Sequence, residues 1–193
     1  AFVRVVREDT EREGMLFAGT ESGMFISFDD GKHWQELDLN LPPVAITDMQ
    51  VKGDDLVVAT QGRGFWILDD ISPLREVHKS LDDEALFQFE PVDGVRLLSG
   101  GGMTDQPQAK NPPRGATFRY YLKDALEEDQ TLRIDIFNAD NELVRTLSSA
   151  PSAFEKCAKG NEDVRSPIKF KHPSTKAGYN TFVWDLRREP LNC

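Results

Sequence analysis

Hydrophobic and polar residues alternate along most of this chain in short runs, the two-residue period of strands and not the 3.6-residue period of helices. Phe2–Arg7, Met15–Gly19, Met24–Phe28 and Trp34–Leu37 predict four strands, and Asp48–Val51, Leu56–Thr60 and Phe65–Leu68 predict three more. Val, Ile, Phe and Leu fill these runs, and Gly, Asp, Asn or Pro punctuates them. Helical signals are absent until Ser72-Pro73, where a Ser N-cap and a Pro at the first helical position predict a short connecting helix near 72–79. Residues 91–115 carry three consecutive glycines and four of the eleven prolines, and read as a Gly/Pro-rich linker. Alternation returns after it. Phe118, Tyr120 and Leu122 form one face, as do Leu132, Ile134 and Ile136, and a hairpin over Asn138-Ala139-Asp140-Asn141 leads into Leu143–Leu147. Phe182, Trp184 and Leu186 mark a late strand. Residues 150–177 read as a long polar insertion.

The chain also repeats itself. Leu16–Asp30 (LFAGTESGMFISFDD) aligns with Leu56–Asp70 (LVVATQGRGFWILDD) at a shift of 40 positions. Leu16 meets Leu56, Thr20 meets Thr60, Phe25 meets Phe65, and Asp29-Asp30 meets Asp69-Asp70. A period of about 40 built only from strands is the length of one four-stranded propeller blade. The second repeat has three strands; its fourth is expected either from Leu86–Glu90 or from a distant part of a longer chain. Two blades cannot close a propeller, and Ala1-Phe2-Val3-Arg4 opens in mid-strand, so the sequence reads as a piece of a larger protein.

One motif is sharp. Ser27-Phe28-Asp29-Asp30-Gly31-Lys32-His33-Trp34 fits Ser-x-Asp-x-Gly-x-x-Trp, with the rare Trp at a fixed place between two strands. Asp29 is suited to accept backbone N–H bonds across a tight turn, Gly31 to take φ > 0, and Trp34 to fold its ring over the turn. The motif resembles the Asp box of BNR-repeat β-propellers, a group that includes sialidases, xyloglucan-active glycoside hydrolases and sortilin-like receptors. Leu41-Pro42-Pro43-Val44, Ile46-Thr47-Asp48-Met49 and Ala59-Thr60-Gln61-Gly62-Arg63-Gly64-Phe65-Trp66-Ile67-Leu68-Asp69-Asp70 are similar to the last blade of large bacterial sortilin-like proteins, where a His is expected in place of Gln61. Asn111–Ala116, Tyr120-Tyr121-Leu122 and Gly178–Arg187 resemble the Ig-like sandwich that follows such propellers. In these families the Asp box is a fold feature remote from the substrate face. The resemblance therefore implies structural roles for Ser27, Asp29, Gly31 and Trp34, and an extracytoplasmic location. Arg63 and Trp66, in the second blade, are the candidates for touching a ligand.

Charge narrows the partners. The formal net charge is -10, and it is uneven: residues 1–70 hold 14 acids against 6 Lys/Arg, while residues 116–193 are balanced at 12 each. An acidic surface excludes a phosphate backbone as partner, and no apolar run reaches membrane-spanning length. The acidic pairs Asp29-Asp30, Asp54-Asp55, Asp69-Asp70 and Asp82-Asp83 all fall at turns or strand ends, where Asp is at home, so no catalytic carboxylates are assigned. His33, His78 and His172 are too far apart for metal spacing. Asn138, Asp140 and Glu142 alternate oxygen donors but read as a hairpin turn. Trp66, Tyr121 and Trp184 suit sugar stacking and core positions equally. Cys157 and Cys193 would close a loop of about 35 residues if paired.

The resulting expectation is an all-β chain: about two terminal propeller blades over 1–90, a linker over 91–115 and an Ig-like sandwich over 116–193. It needs no cofactor or metal. Its function is a non-catalytic structural and binding portion that contacts the rest of a propeller and a glycan or protein ligand. The competing reading is an accessory part of a glycoside hydrolase whose catalytic carboxylates lie on other blades.

Overall fold

The computed structural model describes residues 2–37, 39–78, 81–92, 115–151 and 171–188. They are almost all strand and turn, with one five-residue α-helix, so the chain is all-β. Contacts divide it into two compact units, Ala1–Lys79 and Ser80–Cys193.

In the first unit, β1 (Val3–Glu8), β2 (Leu16–Thr20), β3 (Met24–Ser27) and β4 (Gln35–Glu36) form an antiparallel sheet in chain order. A second sheet follows with β5 (Ile46–Lys52), β6 (Asp55–Thr60) and β7 (Phe65–Leu68), also in chain order. The two sheets share a plan down to an irregularity. Val3 pairs with Thr20 and Val5 with Gly19, which leaves a bulge at Arg4; Ile46 pairs with Thr60 and Asp48 with Ala59, which leaves the same bulge at Thr47. The next turn is closed alike in both. Thr20 donates from N and Oγ1 to Gly23 O, both at 2.9 Å, and Thr60 from N and Oγ1 to Gly64 O, at 3.1 and 2.7 Å.

The ladders correct the ungapped sequence alignment at one point. Gly19 pairs with Met24, whereas Ala59 pairs with Phe65, so Phe65 occupies the place of Met24 and Trp66 that of Phe25. The second turn is one residue longer. Gly62 at φ 83° and Gly64 at φ 71° absorb the extra residue in a backbone region that a Cβ disfavours.

The two sheets share one core. Val5, Met15, Phe17, Met24 and Ile26 meet Ile46, Met49, Val51, Leu56 and Val58, and Ile71 closes the cluster. Each fully buried side chain of this kind stabilises by about 1.5–3 kcal/mol. Gly19 marks the nearest approach: a Cβ there would lie 2.6 Å from Ile46 Cγ2 and 2.7 Å from Met49 Cε.

After β7 the chain forms α1 (Ser72–Glu76), with Pro73 in its first turn. The helix is one turn shorter than predicted, and its N-cap position is Ile71, not Ser72. Ser72 is already helical, and its hydroxyl donates to Asp70 Oδ1 at 2.5 Å. Ile71 is fully buried and its N–H donates to Asp54 O at 2.7 Å, so the apolar residue draws the chain inward one position ahead of the expected cap.

The second unit opens with a 3₁₀ turn at Leu81–Asp83. Strand β8 (Leu86–Gln88) pairs with β9 (Ala116–Leu122), which pairs with β12 (Gly178–Trp184). Leu86–Gln88 therefore does not supply a fourth strand to the second sheet. Strands β10 (Arg133–Phe137) and β11 (Leu143–Ser148) form the expected hairpin. Asn138 accepts from the N–H of Asp140 and Glu142 and donates to Glu142 Oε2, and Asn141 takes φ 62°: the alternating oxygens build a turn. Tyr120, Leu122, Leu132, Leu147 and Phe182 form a core common to both sheets, flanked by Phe118, Ile134, Ile136 and Trp184. The late strand stops at Trp184, and Leu186 sits beyond it at φ 61°. Cys157 and Cys193, and most of the segments 91–115 and 150–177, lie outside the described residues.

Candidate functional site

The turn from β3 to β4 is built around a buried hydroxyl. Ser27, with no exposed surface, donates to Asp29 Oδ1 at 3.1 Å and accepts from Gly31 N at 3.0 Å and Asp29 N at 3.4 Å. Asp29 in turn accepts from His33 N at 2.9 Å, and its other oxygen lies 2.6 Å from His33 Nδ1. The bond from the His33 ring, then the His33 N–H, outweigh desolvation and hold the Asp29 carboxyl at about 2; the Ser27 hydroxyl adds to this. Asp30 at φ 60° and Gly31 at φ 78° reverse the chain. The Trp34 ring lies over Gly31, with Cζ2 3.6 Å from where a Cβ would stand. Every polar group of Ser27 and Asp29 that these bonds engage is held within the turn. The Ser27–Asp29–His33 chain does not resemble a nucleophile with its base, because the hydroxyl points at the carboxylate and away from the imidazole.

Arg63 and Trp66 stand together at the β6–β7 turn. Arg63 is exposed, and its carbonyl accepts from Trp66 Nε1 at 3.2 Å. Trp66 is half-buried and packs on the core of the first unit. A recess of about 50 Å³ beside it is lined by Met24, Leu37, Leu41, Val58, Trp66 and Leu68, among others. That is far below the roughly 300 Å³ at which small-molecule pockets begin. Trp184 likewise packs on the second core and donates to Arg187 O at 2.9 Å.

A polar cluster that sequence reasoning missed ties the first unit together. Arg75, on α1, donates to Asp9 through Nε at 3.0 Å and Nη2 at 3.1 Å. It also reaches Glu11, Asp54 and the Gly53 carbonyl. Burial pushes the Asp9 carboxyl up, but the Arg75 bonds and the N–H groups of Arg12 and Glu11 outweigh it and hold the group below its ordinary value. Arg12 donates to the Leu74 and Arg75 carbonyls at 2.7 and 3.1 Å and stacks over Phe28 at 5.0 Å. Asp9 and Arg75 lie 66 positions apart, so no local signal announces them. The only hint is an acidic loop and a lone Arg in a helix of ordinary composition.

Three more acids of the Asp-Asp pairs are engaged in the same way. Asp54 serves Arg75, Asp55 accepts from Asp70 N, and Asp70 receives Ser72. Among the described residues, no three His, Cys, Asp or Glu side chains converge on a metal position. No helix among them is long and apolar enough to cross a membrane. No protein-family model, curated protein or solved structure matches this chain.

Proposed function

We propose that this chain is a non-catalytic structural and binding portion of an extracytoplasmic Asp-box β-propeller protein. In this reading its two repeated sheets are blades and its second unit is an Ig-like sandwich. The observation that carries the reading is the repetition itself: strand order, bulge position and threonine-closed turn recur from one sheet to the next, as they must when one supersecondary unit is stacked on another. The bonding of Ser27 and Asp29 supports a structural role for the motif, since its polar groups are engaged in holding a turn. Ligand contact falls to the exposed Arg63 and the adjoining edge of Trp66. Arg63 can engage a carboxylate or sugar hydroxyls with a planar fork of donors, and the indole can stack on a ring.

The test is to incubate the chain with β-glucans, xyloglucan and sialosides and follow both sugar release and retention on the immobilised glycans. No release, with retention that falls about tenfold or more in Arg63→Ala, supports the reading. Sugar released by the isolated chain overturns it.

A further inference from the structure

The chain has two Asp-Gly pairs, and Asp30-Gly31, in the turn from β3 to β4, is the one within the described residues. Such a pair carries a chemical liability. The backbone nitrogen of the glycine attacks Cγ of the aspartate before it. A C–N bond forms, a carboxyl oxygen leaves as water, and the two residues close into a five-membered succinimide. Water then reopens the ring, and opening at the original backbone carbonyl leaves the main chain running through the side chain, as isoaspartate. One water leaves and one returns, so no other reactant is needed. Glycine favours the attack because it has no Cβ to shield its nitrogen. The turn depends on this glycine, since Gly31 sits at φ 78°. Asp30 is exposed to the water that reopens the ring.

Two features of the turn oppose the reaction. Asp30 and Gly31 both take positive φ, 60° and 78°, and Lys32 N donates to Asp29 O at 3.4 Å, which defines a type I′ turn. In that turn the first central residue has ψ of about +30°, which sets the next nitrogen on the far side of the Cα–C bond from Cβ. Ring closure needs the two on the same side. The second feature is a bond. Gly31 N donates to Ser27 Oγ at 3.0 Å, and Ser27 has no exposed surface, so the proton that must leave is held away from water. Asp30 N donates to Gly14 O at 2.9 Å and fixes the residue from its other side. Swinging the Asp30–Gly31 peptide into position for attack breaks the Ser27 bond.

We infer that Asp30 is a latent site of isoaspartate formation, and that the Ser27 hydroxyl keeps it intact by holding the Gly31 nitrogen. One buried hydroxyl thus both shapes the turn and protects its covalent structure. Conversion damages the turn, because isoaspartate adds a carbon to the main chain ahead of Gly31 N and displaces that nitrogen from Ser27. The inference rests on this turn alone and is independent of the ligand contact proposed at Arg63.

The experiment follows residue 30 in the full chain during long incubation at neutral pH, folded and in urea. Peptide mapping with fragmentation that separates aspartate from isoaspartate gives the rates. In wild type the folded rate should lie at least about tenfold below the urea rate, because attack waits on local opening. Ser27→Ala, shown by circular dichroism to be folded, should raise the folded rate about two- to tenfold, the range that loss of one hydrogen bond gives. Val58→Ala separates this local effect from general destabilisation: it opens the core in the second sheet, leaves the bonds of the turn in place, and should keep the wild-type rate. Asp30→Asn provides a second readout, since asparagine accepts the left-handed conformation and its ring closure expels ammonia, seen as a mass change. Adding Ser27→Ala to it should speed that loss by the same factor. Equal folded and urea rates in wild type overturn the proposal. So does a Ser27→Ala rate that matches wild type, or a Val58→Ala rate that rises as much as that of Ser27→Ala.

Discussion

The two sheets of the first unit begin as near copies and part company after their third strands, and the divergence shows how few residues decide the course of a chain. Both reach an Asp-Asp pair, and the second Asp of each pair takes a left-handed conformation, Asp30 at φ 60° and Asp70 at φ 59°. In the first sheet Gly31 continues the reversal at φ 78° and Ser27 secures it from below, so the chain returns as β4 along the edge of β3. In the second, the residue after the left-handed Asp70 is Ile71, which is drawn into the core, and Pro73 follows. Proline has no N–H for a ladder, and its fixed φ suits a helix start, so α1 forms. Among the described residues, the β7 edge is then left without a partner strand. A buried hydroxyl and a glycine make a hairpin; a buried isoleucine and a proline make a helix.

That contrast can be broken most severely at Arg75, which holds α1 in place of the missing strand. Arg75→Ala leaves Asp9, whose side chain is fully buried, without its cation and should cost about 3–5 kcal/mol in urea unfolding followed by circular dichroism. A cost below about 1 kcal/mol would mean that the helix is held by apolar packing alone. Next comes the sheet contact. Gly19→Val drives a branched side chain into Ile46 and Met49 and should cost about 3 kcal/mol, while Ala59→Val, at the half-buried counterpart position in the second sheet, should change stability by less than about 0.5 kcal/mol. Equal effects would remove the distinction between the two positions.

The two turns themselves come third. Ser27→Ala removes a fully buried hydroxyl and strips the half-buried Gly31 N–H of its acceptor, and should cost about 1–2 kcal/mol, whereas Ser72→Ala, which cuts a single bond to the half-buried Asp70 outside the core, should cost less than half of that. The smallest effect is a pH dependence. The Asp29 carboxyl is held at about 2, below its ordinary 3.8, so its contribution is fully present above the ordinary value and is lost as pH falls through about 2. The urea midpoints of wild type and Asp29→Asn, measured from pH 5 to pH 2, should therefore draw together as acid is added. A constant gap would show that the His33–Asp29 bond does not stabilise the fold.

Much of this was legible in the residues. Period-two alternation placed the strands of both units to within a few positions, because a pleated strand must sort its side chains onto two faces whatever it pairs with. The polar chemistry of the turn between β3 and β4 was legible too, since Asp29, Gly31 and Trp34 act on atoms within a few residues of themselves. The one-residue lengthening that puts Phe65 opposite Ala59 escaped an ungapped alignment: Asp69-Asp70 still matched Asp29-Asp30, and the glycines hid the slack.

The sequence by itself determined the all-β class, the repeat and the local turn chemistry, all of which depend on neighbours in the chain. Only the tertiary structure decided that Leu86–Gln88 joins β9, that Arg75 finds Asp9, and that Gly19 lies against Ile46 and Met49. Those outcomes depend on which surfaces meet, and pairings between residues tens of positions apart are set by shape and burial across the whole unit, for which local spacing carries no signal.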